Sequence, residues 1–120
     1  MFLDTLPYNA HTTASDALWA GLPVLTLIGP TFAGRVAASL LRAIGLPELI
    51  TATAQDYEQR AIELAQNAEA LAASRNKLAA NRATTPLFDT ALFARRIEAA
   101  YAAMHQRHQA GLASANIAIT

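Results

Sequence analysis

The stretch Asn9-Ala10-His11-Thr12-Thr13-Ala14-Ser15-Asp16 concentrates an imidazole, three hydroxyls and a carboxylate in eight residues. It runs into Ala17-Leu18-Trp19-Ala20, which reads as the body of a short helix. The first turn of a helix has unpaired N–H groups and the positive end of the helix dipole, so such a start is a ready anion site, with phosphate the usual anion. The spacing leaves two readings open. In one, Thr12 or Thr13 merely caps the helix and His11 sits in solvent; Thr13 and Asp16 have capping-box spacing, weakened because Asp is shorter than Glu. In the other, the amides and hydroxyls cradle a phosphate.

Other candidates carry less. Gly29-Pro30-Thr31-Phe32 opens a second helix and could form a small anion pocket, but these residue types favour a structural turn and cap. Arg35 could reach a phosphate or make a buried or interhelical ion pair. His105 and His108 can share a helix face, yet no acid or thiol sits beside them, which favours a solvated face over a metal site. Trp19 and Tyr8 are expected as core or pocket-wall residues, because large aromatics are mostly buried.

The elements that must hold these residues follow from periodicity and punctuation. Phe2-Leu3 is a brief strand ending at Asp4, and Leu6–Ala10, with Pro7 and Asn9, is loop. A helix from Thr12 or Thr13 stops at Gly21 and Pro23, and Val24–Ile28 suits a buried parallel strand. A second helix spans about Phe32 to Ile44 and ends at Gly45, followed by Leu49-Ile50-Thr51 as a last strand or a turn. This is the rhythm of a doubly wound α/β sheet, where ligands bind beyond the carboxyl ends of the strands, as residues 9–16 do.

Ala54 to Arg82 contains no Gly or Pro and is expected as one long helix. Its stripe of Tyr57, Ala61, Leu64, Ala68, Leu71 and Leu78 is interrupted by Arg75. The stripe buries against the protein's own sheet or forms a dimer seam. After Thr84-Thr85-Pro86, a cap at Asp89 or Thr90 opens a last helix to about Ala110, closed by Gly111. Residues 1–111 are expected as one α/β unit, helical from about 54, with 112–120 a frayed tail.

Composition bounds the function. The chain has 120 residues, nine basic and nine acidic side chains and no cysteine, so one domain at most is expected, with no disulfide or thiolate metal site. With 53% apolar and 15% charged residues it is not a disordered tail, and zero net charge without a Lys/Arg cluster argues against nucleic acid. No apolar run is long enough for a membrane span, and Met1-Phe2-Leu3-Asp4 shows no signal-peptide pattern. Two or three short parallel strands do not make a stable sheet alone. The expectation is therefore the C-terminal part of a larger α/β unit, whose exposed sheet edge would drive homo-oligomerisation when expressed alone.

The pattern as a whole is more specific than any part. The run Leu3-Asp4-Thr5, Asn9-Ala10-His11-Thr12-Thr13, Asp16-Ala17-Leu18-Trp19-Ala20-Gly21-Leu22-Pro23-Val24 closely resembles the C-terminal catalytic lobe of the O-linked N-acetylglucosamine transferases. The resemblance continues through Gly29, Thr31, Arg35-Val36-Ala37-Ala38-Ser39, Leu49-Ile50, Tyr57-Glu58 and Pro86-Leu87-Phe88-Asp89-Thr90, to about Gly111.

The resemblance implies the C-terminal part of a Rossmann-like, nucleotide-sugar-binding lobe of a GT-B fold, with few short parallel strands and long C-terminal helices. It also implies a cytoplasmic, metal-independent, inverting transferase that uses UDP-N-acetylglucosamine to modify Ser or Thr of proteins, with no cofactor. By the same resemblance Thr12 and Thr13 hold the diphosphate, His11 lies beside phosphate and sugar, and Asp16 faces the ribose or orders the loop. No residue of the chain is expected to be catalytic and none to bind metal. The acceptor surface, the phosphate-contacting Lys and the base-binding segment of the family lie in parts absent here, and Lys77 is no substitute. The chain alone is thus expected to be inactive; the alternative is a non-catalytic interaction or dimerisation module derived from that lobe.

Overall fold

The computed structural model describes residues 1–119. Thr120, the last residue of the expected frayed tail, lies outside the described residues. The chain falls into two compact units, Met1–Leu87 and Phe88–Thr120.

The first unit is built on a three-stranded parallel sheet in the order β1-β2-β3. Its strands are β1 (Phe2–Leu3), β2 (Val24–Leu27) and β3 (Ile50–Thr51). Phe2 is in register with Val24 and Leu3 with Leu25, while Thr26 pairs with Ile50 and Leu27 with Thr51. The β-branched run between Pro23 and Gly29 forms the central strand, and Val24, Leu25 and Thr26 are all fully buried. Helix α1 (Thr12–Trp19) joins β1 to β2, and α2 (Val36–Ala43) joins β2 to β3. Gly21 and Gly45 end them with φ of +81° and +75°. That left-handed geometry is strained for any side chain, which is why glycine stops both helices.

The core lies where α1 and α2 pack over β2, with Leu18, Leu25, Leu41, Ile44, Leu46 and Leu49 buried. Each such side chain contributes about 1.5–3 kcal/mol by leaving water. The second helix starts later than its apolar pattern suggests: Ala33–Arg35 forms a 3-10 turn before α2 begins at Val36. Pro47–Leu49 is likewise a 3-10 turn leading into β3.

The long helix expected over 54–82 is two helices, α3 (Ala54–Gln66) and α4 (Ala68–Asn81). Asn67 breaks it in an extended conformation, φ −110° and ψ +92°, and its side chain caps α4 by accepting from the Ala70 N–H at 3.0 Å. Asn competes with a helix for its own backbone, so it can interrupt one without Gly or Pro. Of the expected stripe, Leu64 and Leu78 are fully buried, whereas Ala68 is exposed beside the break.

Two aromatic expectations are corrected. Trp19 is 60% exposed, because the buried face of α1 is Ala14-Ala17-Leu18 and the next residue turns about 100° away. The Arg82 guanidinium lies over its ring at 5.5 Å and donates to the Trp19 carbonyl at 2.7 Å. Tyr8 is 64% exposed in a loop, which overturns the core alternative for it and leaves the pocket-wall one.

Among the described residues the second unit contains α5 (Thr90–Gln109) and a segment, residues 112–119, without helix or strand. Asp89 caps α5 as its position suggests, accepting from the Leu92 N–H at 2.8 Å. Arg107 Nε donates to the Ala113 carbonyl at 2.6 Å, folding the following segment back on the helix. His105 and His108 are exposed, in keeping with a solvated face.

Candidate functional site

The carboxyl ends of β1 and β2 lead into two loops, residues 4–11 and 28–35. They approach closely: the Asn9 N–H donates to the Ala33 carbonyl at 3.2 Å. A side chain at Gly34 would start 3.1 Å from Gly29 Cα and 3.3 Å from the Pro7 carbonyl oxygen, so glycine permits the contact. Thr31 Oγ1 accepts from the Gly34 N–H at 3.0 Å, the structural turn that the Gly-Pro-Thr sequence suggests. Arg35 makes no buried or interhelical ion pair among the described residues; it is exposed and donates to the Pro30 carbonyl at 2.6 Å. The tight turn at 30–35 points its guanidinium back along its own loop.

The first loop is held from inside. Asp4 is 5% exposed and follows β1 directly. Its Oδ1 accepts from the Thr5 N–H at 2.8 Å and the Ala10 N–H at 2.6 Å, and its Oδ2 accepts from the Thr26 hydroxyl at 2.6 Å. Tyr57 of α3 donates its hydroxyl to the Asp4 carbonyl at 2.9 Å. Burial pushes the Tyr57 phenol above its ordinary value, and the neighbouring Asp4 carboxylate raises it further, so it stays a neutral donor. Asn9 is 1% exposed; its Nδ2 donates to the carbonyls of Thr5 and Leu27 at 3.1 and 3.4 Å.

The loop delivers the chain to α1 at His11. The expected capping box of Thr13 and Asp16 does not form, because the helix starts one residue earlier, at Thr12, with His11 in the cap position. No side chain caps this end. His11 instead stacks on Tyr8, ring centroids 5.0 Å apart, and meets the edge of Phe32 at 6.1 Å. The first bond of the helix runs from the Ser15 N–H to the His11 carbonyl at 3.1 Å, leaving the amides of Thr12, Thr13 and Ala14 outside the helical ladder. Thr12 and Thr13 are exposed. Asp16 lies one turn on, exposed and four residues from Thr12, hence on the same side of the helix.

Two polar atoms beside this corner are shielded from water and lack a partner among the described residues: His11 Nε2 and Asn9 Oδ1. An unpaired buried polar atom is costly, about 1–3 kcal/mol, and calls for a partner; the Asn9 amide oxygen takes only a donor, whereas the imidazole nitrogen can donate to an anion. The corner therefore combines free amides, two hydroxyls, a dipole's positive end and an orphaned imidazole nitrogen. That set suits an oxyanion. No group of three metal-ligating side chains occurs among the described residues.

His11, Thr12, Thr13 and Asp16 lie together at the start of α1. Asp4, Thr26, Asn9 and Tyr57, which shape the loop that carries them, were not singled out as functional by sequence. The signal for Asp4 was slight: a carboxylate directly after a strand, with its partners far along the chain.

Comparison with known proteins adds to this geometry. The profile of glycosyl transferase family 41 matches residues 1–97. A probable UDP-N-acetylglucosamine–peptide N-acetylglucosaminyltransferase, SEC, of Arabidopsis thaliana is 42% identical over 112 residues, which cover 92% of this chain and 12% of that protein. The UDP-N-acetylglucosamine–peptide N-acetylglucosaminyltransferase of Caenorhabditis elegans is 38% identical over 110 residues, covering 92% of this chain and 10% of the relative. A solved Thermobaculum terrenum O-GlcNAc transferase, a K341M mutant, superposes with a TM-score of 0.77 at 41% identity, over 82% of this chain and 19% of that one. The chain therefore spans about a tenth of the length of these curated relatives.

Proposed function

This chain belongs to glycosyl transferase family 41 and has the α/β fold of a GT-B lobe, and from that membership we propose that it forms part of the donor site of an enzyme transferring N-acetylglucosamine from UDP-N-acetylglucosamine to Ser or Thr of proteins. The open amides and hydroxyls of Thr12 and Thr13, at a helix start beyond the carboxyl ends of parallel strands, carry the reading. They receive the diphosphate. His11 Nε2 completes its hydrogen bonding on a phosphate or sugar oxygen. Asp16 cannot approach the diphosphate without repulsion, and one turn further on it accepts from a ribose hydroxyl.

The chemistry follows from charge. An acceptor oxygen attacks the anomeric carbon as the bond to the UDP β-phosphate oxygen breaks, inverting the centre, and UDP leaves with the bonding electrons. Donors fixed at the diphosphate bind the leaving group more strongly as its charge grows, which lowers the barrier without a metal. No residue of the corner acts as catalytic base. Among the described residues no helix is long and apolar enough to cross a membrane.

Titration of the 15N-labelled chain with UDP tests the reading. Shifts are expected at the amides of Thr12, Thr13 and Ala14, with half-saturation near millimolar. Shifts confined to other parts of the chain, or none at 10 mM, would reject it.

A further inference from the structure

We infer that Asp4 is the positioning residue of the anion cradle. Its carboxylate sets the place of the Thr12 and Thr13 amides by gripping the loop one residue before His11. The ligand named for that cradle rests on the donor-site reading above; the positioning role rests on geometry alone.

Asp4 is the point where four segments meet. Its Oδ1 holds the two ends of the loop together, the Thr5 N–H at 2.8 Å and the Ala10 N–H at 2.6 Å. Its Oδ2 is anchored to β2 through the Thr26 hydroxyl at 2.6 Å, and Thr26 is itself fully buried. Its main chain is anchored twice, by its own N–H donating to the Leu25 carbonyl at 3.0 Å and by the Tyr57 hydroxyl donating to its carbonyl at 2.9 Å. The carboxylate is therefore fixed to β2 through Thr26 and the Asp4 main chain to β2 and α3, while the Ala10 end of the loop is held by Oδ1 together with the bonds of neighbouring Asn9 to Ala33 and Leu27.

A buried carboxylate is expensive unless it is hydrogen-bonded, and all three of its bonds here come from neutral donors. No cation pairs with Asp4 among the described residues, whose ion pairs are Arg60–Glu63 and Lys77–Glu48. A neutral side chain in this place would avoid desolvation. What the charge adds is strength in the N–H bonds, and the short one ends at Ala10, next to the histidine. From there two residues, about six backbone bonds, separate Asp4's grip from the Thr12 amide, so a change in the Ala10 position is passed along a short stretch to the cradle.

The experiment uses the full 120-residue chain as wild type, Asp4→Asn and Asp4→Ala, with Leu78→Ala as a core control away from the loop. Two quantities are read by 15N NMR: hydrogen exchange at the Ala10 amide, and UDP affinity of the folded protein. Asn retains one acceptor oxygen without the charge, and Ala retains none. The expected order is wild type, Asn, Ala, with Ala10 exchange faster by about 10-fold or more in Asp4→Ala and UDP affinity weaker by about 10-fold, the worth of one charge-assisted bond. Leu78→Ala lowers global stability yet leaves affinity unchanged.

A flat series in Ala10 exchange, or Asp4→Ala binding UDP as wild type does, overturns the inference. If Asp4→Ala does not fold, the wild-type and Asn pair decides it by the same exchange measurement. If wild type shows no UDP shifts at residues 12–14, the donor reading fails, and Ala10 exchange with the Thr12 and Thr13 amide shifts still decides the role of Asp4.

Discussion

Replacing His11 by Phe separates the nitrogen of this residue from its ring. Phe keeps the stack on Tyr8 and the edge contact with Phe32. It removes Nε2, which is shielded from water and unpartnered. Three or four charge-assisted bonds at roughly 1.5–3 kcal/mol give about 5–10 kcal/mol, of which at least about 4 is lost in immobilising the ligand, leaving an affinity for UDP near millimolar. Deleting the His11 bond removes about 1.5–3 kcal/mol, a weakening of about 10- to 150-fold. Stability moves the other way. Removing an orphaned buried nitrogen lifts a cost on the order of 1 kcal/mol, worth a rise of about 4–8 °C in Tm for a domain of this size. NMR titration with UDP and a thermal melt read both effects. Unchanged UDP half-saturation, or a lowered Tm with unchanged affinity, would show that the imidazole nitrogen serves the fold and not a ligand.

The raised Tyr57 phenol makes stability depend on alkaline pH. The folded chain holds this proton more tightly than the unfolded one, so the contribution is complete below the ordinary value of about 10 and is lost as pH climbs through the folded value. Urea midpoints should fall above about pH 10, less steeply in Tyr57→Phe; equal slopes would refute the assignment. Asn67→Ala removes the cap of α4 and should cost about 0.5–2 kcal/mol in urea unfolding, whereas a stabilised variant would mean the break at Asn67 is idle.

Legibility in the sequence followed punctuation. Pro23, Gly29, Gly21 and Gly45 mark the bounds of β2, α1 and α2; proline fixes its own φ and glycine alone takes the left-handed φ of Gly21 and Gly45 without strain, so no tertiary information is needed. The cluster at His11–Thr13 was legible for the same reason, being contiguous. The break at Asn67 was hidden because its cap bond to Ala70 is local but optional, and an apolar stripe runs on through it. Trp19 was misplaced by reasoning from residue type, where helical phase decided. The Asp4 latch left only a slight trace, a carboxylate directly after a strand: its partners Thr26 and Tyr57 lie 22 and 53 residues away, and only the folded sheet brings them together.

Crystals of the chain grown with UDP test the central claim most directly. The account predicts diphosphate oxygens within about 2.7–3.2 Å of the Thr12 and Thr13 amide nitrogens, with His11 Nε2 newly bonded to a ligand oxygen. Diphosphate bound at another place on the chain, with the start of α1 bare, would contradict it.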